Sequence, residues 1–236
     1  MSGKLYLIPT TIGDSEIERV IPAYNINVIS KIRNFIVEDV RTARRFLAKC
    51  GLKEIIDQSV FYELNQHTKN EEAKKFLAPA FEKIDVGLLS EAGTPCIADP
   101  GNIIVKLAHE KGIKVVPLSG PSSIFLALMA SGLNGQNFAF NGYLPVKPSE
   151  RQKKIAFLEK LSFSNNQTQI FIEAPYRNIH LFNDILSVCA GNTLFTVAVD
   201  ITQENEEIYT KTISEWKKFK IDLSKRPCIF MIQKIS

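Results

Sequence analysis

The chain has 236 residues, 45% hydrophobic and 23% charged, with 12 Gly and 11 Pro, a balance that excludes disordered, collagenous and coiled-coil classes. Its longest apolar runs, such as IFLALMA at 124–130, fall well short of the roughly 20 residues that cross a bilayer, so no membrane span is expected. A net charge of +4 permits a phosphate-bearing partner without the clustered basic signature of a dedicated nucleic-acid module.

The first strand is read at 4–9, KLYLIP, where a short apolar run meets Pro9, Thr10, Thr11 and Gly13. NFIVED at 34–39 repeats the pattern and enters a helix with Ala43, Phe46, Leu47 and Cys50 on one face, closed by Gly51. One helix is predicted over 70–81, with Ala73, Phe76, Leu77 and Ala80 inward, followed by a buried strand at 85–90. A helix at 102–112 ends at Gly112, and a strand at 114–120 breaks at Pro117 and Gly120. Strands alternating with helices imply a largely parallel sheet in this half.

After an apolar helix at 121–132 the pattern changes. Strands are predicted at 137–144, 168–174, 194–202, 206–213 and 227–233, the last three separated by one short helix, ISEWKKF. That spacing implies a mixed or antiparallel sheet, and the Asn-rich 162–167 is read as a surface loop. The fold class is α/β in two lobes, 1–118 and 119–236. Trp216 and Phe219 are assigned to packing.

The N-terminus shows no basic segment followed by an apolar stretch and cleavage site, so a cytoplasmic location is expected. Cys50, Cys96, Cys189 and Cys228 form no CxxC pair and are read as reduced thiols. His67, His109 and His180 are scattered, and no metal site is expected.

The densest chemical signal is LSEAGTPCIADPG at 89–101, a strand exit carrying Gly93, Thr94, Pro95, Asp99, Pro100 and Gly101 before a helix. Ligands bind outside the carboxyl ends of strands in open α/β sheets, where glycines let the backbone approach closely. The alternative is a connecting turn with Asp99 capping the helix. LSGPSS at 118–123 has the same form, with Ser122 and Ser123 at a helix start. Neither loop matches GxGxxG or GxxxxGK[ST], which disfavours phosphate cradling.

LYLIPTTIGD, VEDVRTARRFL, LSEAGTPCIADPG, KVVPLSGPSS, the run from SGL to FAFNGYLP at 131–145, and IFIEAPYRN together resemble the tetrapyrrole methylase superfamily of S-adenosylmethionine (SAM) dependent methyltransferases. Within it they are most similar to the branch that methylates a cytidine 2′-hydroxyl in small-subunit ribosomal RNA. The resemblance implies two α/β lobes with the cofactor in the cleft between them, and a homodimer. It places SAM against Pro9, Ser90, Glu91, Ala92, Gly93, Thr94, Ile97, Ala98, Ser122, Ser123, Ile172, Glu173 and Ala198.

Glu38, Asp39 and Arg41 match the family's acidic-acidic-x-Arg segment, where a carboxylate is suited to accept a proton and Arg41 to hold a phosphate. A capped helix with surface charges is the plain alternative. Arg177 occupies the arginine of the family's Pro-His-Arg, with Tyr176 in place of the histidine, and is expected to grip substrate or Glu173. Arg151, Lys147, Lys153 and Lys154, together with Lys217, Lys218, Lys220, Lys225 and Arg226, are candidates for a phosphate track, against the alternative of a solvated face.

The chain departs from the rRNA branch at Thr11-Ile12-Gly13-Asp14-Ser15-Glu16, where one glycine and an asparagine are replaced. In Ala198-Val199-Asp200-Ile201-Thr202-Gln203 the branch's arginine and lysine are replaced. Its end at 236 is read as the absence of a helical C-terminal region, which lessens the expected RNA contacts. The expected function is SAM-dependent methylation of a ribose 2′-hydroxyl in small-subunit rRNA. The alternatives are a tetrapyrrole or other small-molecule acceptor and a noncatalytic SAM-binding protein.

Overall fold

The computed structural model describes residues 2–65, 67–68 and 70–235. The chain forms two compact units, Met1–Ser122 and Ser123–Ser236. The first contains β1 (Lys4–Ile8), α1 (Ile17–Val20), α2 (Ala23–Ile29), β2 (Asn34–Val37), α3 (Val40–Lys49) and α4 (Lys53–Ile56). It continues with β3 (Val60–Glu63), α5 (Asn70–Phe76), α6 (Ala78–Phe81), β4 (Val86–Leu89), α7 (Asn102–Glu110) and β5 (Lys114–Pro117). The strands lie in the order β3-β2-β4-β1-β5, and every pair is parallel.

Alternation along each strand sends successive side chains to opposite faces. Ile8, Phe35, Val37 and Leu89 pack with Ile17, Ile21, Ile29, Phe46 and Leu47 on one face. Leu5, Ile36, Val86 and Leu88 pack with Ala73, Phe76, Ile104, Leu107 and Ala108 on the other. With helices on both faces, the central strand β4 is buried along its whole length. The helix predicted over 70–81 is divided: Pro79 stands in the first turn of α6 and a new helix starts there, because proline has no N–H for a continuing helix. Ala73, Phe76, Leu77 and Ala80 are nonetheless all buried.

The second unit contains α8 (Ser123–Ser131), β6 (Phe138–Tyr143), α9 (Pro148–Asn165), β7 (Thr168–Ile172), a 3-10 turn (Pro175–Arg177), α10 (Asn178–Val188), β8 (Leu194–Val199), β9 (Glu207–Thr212), α11 (Ile213–Trp216) and β10 (Cys228–Gln233). Its sheet has the order β6-β7-β10-β8-β9. Only β6 and β7 pair in parallel; the other three pairings are antiparallel. Phe171, Phe195, Val197, Phe230 and Ile232 face α9 and α10, with Ile155, Leu158, Leu181 and Ile185 against them. Ile170, Ala198, Ile229 and Met231 face Ala127 and Leu128 of α8.

Trp216 is 1% exposed, meets Phe182 edge-on at 5.4 Å and donates its indole N–H to the Phe195 carbonyl at 2.7 Å. Packing is therefore its role, as expected.

The segment 162–167 is not a loop. Helix α9 runs to Asn165 and closes on Asn166 in the left-handed region, φ 45°, while Ser162 is fully buried. The amides here serve as structural ties. Asn134 Nδ2 donates to the Asn166 carbonyl at 2.7 Å, and Gln167 Nε2 donates to Asn137 Oδ1 at 2.8 Å. Gln169 Nε2 donates to Gln167 Oε1 at 2.8 Å, and Asn141 Nδ2 to Gln169 Oε1 at 3.1 Å. Each amide offers both a donor and an acceptor, so such a chain can propagate along the edge of the sheet.

Candidate active site

The first unit gathers its loops at the carboxyl ends of the five parallel strands. Pro9 and Thr10 follow β1, Glu38 and Asp39 follow β2, Leu64 and Asn65 follow β3, residues 90–101 follow β4, and residues 118–122 follow β5. Glu38, Leu64, Asn65, Ala98, Asp99 and Pro100 line a pocket of about 410 Å³. That is the edge at which open α/β sheets take their ligands.

The loop after β4 is held by its own backbone and by β1. Thr10 N–H donates to the Gly93 carbonyl at 3.0 Å, Ser90 Oγ donates to the same carbonyl at 2.5 Å, and Thr10 Oγ1 donates to the Ser90 carbonyl at 3.2 Å. Gly93 has φ +70°, and a Cβ there would stand 3.1 Å from the Pro121 carbonyl oxygen. At Gly120 a Cβ would fall 2.2 Å from Pro9 Cγ, so the loops after β1 and β5 touch only because that side chain is absent.

Cys96 and Ala98 also hold positive φ, 69° and 63°, a conformation that costs L-residues about 1–2 kcal/mol each. Asp99 compensates: its Oδ2 accepts from Cys96 N–H at 2.8 Å and its Oδ1 from Gly101 N–H at 2.7 Å. Asp99 thus braces the loop from both sides, and Gly101 stands at the N-cap of α7.

Electrostatics single out Glu38. Partial burial, then the negative charges of Asp99 and Glu91, raise its proton affinity above the usual carboxylate range, against a lowering backbone hydrogen bond from Glu91. Glu91 is raised too, by burial and then by Asp39. Asp39 behaves differently. Its Oδ1 accepts from Thr42 N–H at 2.7 Å as the N-cap of α3, and this hydrogen bond holds its proton affinity below the ordinary value. Asp39 thus takes the capping role that is the plain alternative for this segment, while Glu38 lines the pocket. Arg41 is exposed on the first turn of α3.

Of the residues expected around a cofactor, Pro9, Ser90, Glu91, Ala92, Gly93, Thr94, Ile97 and Ala98 fall on this carboxyl edge, with Ile97 half exposed. Ser122 ends the first unit, and Ser123 opens α8 in the second. Thr10, Leu64 and Asn65 were missed. Asn65 follows β3, a short strand whose residues are exposed at both ends, so it carries no buried apolar run to mark it.

In the second unit Ile172 ends β7, and the Glu173 carboxylate behind it is completely buried. Its Oε1 accepts from Ala174 N–H at 2.7 Å and from Arg177 Nε at 2.9 Å. Its Oε2 is buried with no partner among the described residues. Arg177 is paired with Glu173 at 2.5 Å and lies 5.5 Å from the Tyr176 ring centre. Ala198 offers no side chain to a ligand: it is fully buried against α8, and its backbone runs inside the β10–β8–β9 ladder.

Arg151 and Arg226 do not line a phosphate track. Arg151 is 4% exposed, pairs with Asp184 at 2.6 Å and donates to the Val146 carbonyl. Arg226 pairs with Asp200 and Glu207, each at 2.6 Å, so its charge is spent within the second unit. All four cysteines are free, and burial pushes the Cys96, Cys189 and Cys228 thiols up to about 12. Among the described residues no group of three or more His, Cys, Asp or Glu side chains is arranged to hold a metal. No helix among them is long and apolar enough to cross a membrane.

Two doubly layered units, the first with a loop-built site outside a parallel sheet, define an α/β enzyme architecture, and comparison with known proteins gives it a family. The model of the Tetrapyrrole (Corrin/Porphyrin) Methylases matches residues 18–217, and the chain belongs to that family. It is 32% identical over 211 residues to a ribosomal RNA small subunit methyltransferase I of Vibrio cholerae serotype O1, covering 89% of this chain and 69% of the relative. A ribosomal RNA small subunit methyltransferase I of Escherichia coli O157:H7 is 30% identical, with 90% and 70% covered. Among solved structures, the methyltransferase CobJ is similar with a TM-score of 0.66 at 15% identity, over 99% of this chain and 95% of that one. Uroporphyrin-III C-methyltransferase from Thermus thermophilus complexed with S-adenosyl homocysteine gives 0.55 at 12% identity, covering 98% of both chains.

Proposed function

We propose that this chain is a SAM-dependent methyltransferase that transfers a methyl group to a ribose 2′-hydroxyl of small-subunit ribosomal RNA. The names of its sequence relatives support the rRNA substrate. The observation that carries the chemistry is Glu38, a carboxylate of raised proton affinity facing a pocket at the carboxyl edge of a parallel sheet.

The residues present fit the cofactor. The loop after β4 is built of small residues and backbone carbonyls, and the acidic groups Glu38, Glu91 and Asp99 favour a cation beside them. In the second unit Glu173 Oε2, buried with no partner among the described residues, is an acceptor in want of a donor such as a hydroxyl or amino group. When bound, SAM supplies a methyl group on a positively charged sulfur. Pro9, the segment 90–94, Ile97, Ala98 and Ser122 of the first unit would hold it, while Glu38 would accept the proton leaving the ribose hydroxyl. Asp99 positions Glu38 electrostatically and braces the loop. Arg177 orients the Glu173 carboxylate through its Nε and guanidinium contacts. The chain works in the cytoplasm as a homodimer.

The test has two arms. Calorimetric titration with S-adenosylhomocysteine is expected to show binding, with GTP and NAD silent. Small ribosomal subunits incubated with enzyme and SAM are then expected to gain an alkali-resistant ribose linkage, which the Glu38→Gln variant does not install. Cofactor binding without rRNA methylation would move the acceptor to a small molecule or make the protein a noncatalytic binder, and light scattering at one-chain mass would overturn the dimer.

A further inference from the structure

Helix α9 buries Ile155, Leu158 and Ser162, and the opposite side carries an unusual composition. Lys153, Phe157, Lys160 and Ser164 follow one another at spacings of four, three and four, the spacing that keeps residues on one helical face. Phe163 stands beside them, three positions after Lys160. Phe157 and Phe163 are 52% and 56% exposed, although an aromatic ring gains most from burial. Lys154 Nζ sits 5.2 Å from the Phe157 ring centre. Among the described residues none of Lys153, Lys154 and Lys160 has a carboxylate within ion-pair distance. The nearby acids are committed elsewhere: Glu150 to Lys147 at 3.3 Å, and Glu159 to Ala190 N–H at 2.8 Å and to Thr193.

We infer that this face of α9 is a docking surface for a single-stranded segment of RNA, with Phe157 and Phe163 as stacking platforms and Lys153, Lys154 and Lys160 as phosphate contacts. Exposed rings interleaved with unpaired cations are the combination that binds single strands, because every base has a face to stack and every linkage a charge to neutralise. From Lys153 to Phe163 the stripe is about 15 Å long at the rise of an α-helix. The charge also decides against a second copy of this chain as occupant. In a two-fold contact the same patch meets itself, and the lysines would face lysines. The inference rests on the rRNA reading above and names where on the second unit the RNA lies.

The test uses the full chain and a labelled single-stranded oligoribonucleotide of on the order of ten nucleotides, followed by fluorescence anisotropy over a range of salt concentrations. S-adenosylhomocysteine affinity and solution mass are measured on the same preparations. The variant K153Q/K160Q is expected to bind RNA more weakly, with the slope of log affinity against log salt reduced by about 1.4, two single-strand phosphate contacts. F157L/F163L is expected to lose affinity about tenfold or more with the salt slope unchanged, since stacking releases no counterion. Both are expected to keep the cofactor affinity, because neither replaces a residue assigned to the cofactor. Wild-type RNA binding that both variants retain in full would overturn this surface and leave the rRNA reading standing. No RNA binding by a wild-type chain that binds S-adenosylhomocysteine would overturn both. Loss of dimer mass in F157L/F163L with RNA affinity intact would assign the face to a second copy.

Discussion

At the scale of single residues, Glu38 and Asp39 show how neighbours in sequence part company in chemistry. Asp39 meets the free N–H groups at the start of α3 and is fixed as an anion by Thr42. Glu38 lines a pocket where burial and then Asp99 oppose its charge. A raised carboxylate has a definite sign in the stability balance. Below the ordinary glutamate value of 4.5 both folded and unfolded chains are protonated and nothing is lost. As pH rises toward and through the folded value, ionisation costs the folded state more than the unfolded one, and the penalty is full at neutral pH. Glu38→Gln is therefore expected to raise the urea midpoint at neutral pH, with the gain vanishing in acid. Methyl transfer should fall roughly 100- to 10,000-fold, and the wild-type rate should decline in acid at a pH above the usual carboxylate range. A variant that is neither more stable nor less active would remove Glu38 from the site.

At the scale of elements, much of the fold is legible because each strand of the first unit is a short apolar run and each helix has a stripe. What escapes is instructive. β3 lies at the sheet's margin with exposed ends, so periodicity has nothing to register, and Asn65 beyond it goes unseen. Residues 162–167 read as a loop because asparagine and glutamine usually face water, whereas tertiary contacts here give nearly every amide a partner. In the site, the loop at 89–101 is recognisable from its glycines and prolines, but the burial of Arg151 against Asp184 comes from a residue 33 positions away and leaves no local mark. The loop also carries a prediction. Gly93→Val forces a branched side chain into positive φ, costing about 1–2 kcal/mol in backbone strain, and brings its Cβ to 3.1 Å from the Pro121 carbonyl. Circular dichroism should remain native while S-adenosylhomocysteine binding is lost; unaltered affinity would exclude this turn from the cofactor site.

At the scale of the whole molecule, the chain carries four hydrophobic clusters, one on each face of each sheet, and its expected ligand links binding to folding. A ligand that binds only the folded chain, present at a hundred times its Kd, adds about 2.7 kcal/mol of stability. Thermal unfolding with and without S-adenosylhomocysteine reads this directly. An unchanged midpoint at saturating ligand would show that the site forms no part of the unfolding unit.

The row of amides at the β6–β7 edge also sets a chemical clock. Asn134 and Asn141 each precede glycine, and glycine presents no Cβ to hinder its amide nitrogen from attacking the asparagine side chain. The product of that ring closure and its hydrolysis is an acid, which accepts hydrogen bonds but donates none when ionised. Both amides now act as donors, Asn134 to the Asn166 carbonyl and Asn141 to Gln169, so each conversion would set oxygen against oxygen at the sheet's margin. Stored protein is accordingly expected to lose these two amides first once the edge opens, as peptide mass mapping of aged samples would reveal, and to lose stability as they go. Intact amides in protein that has already weakened would place the origin of ageing elsewhere.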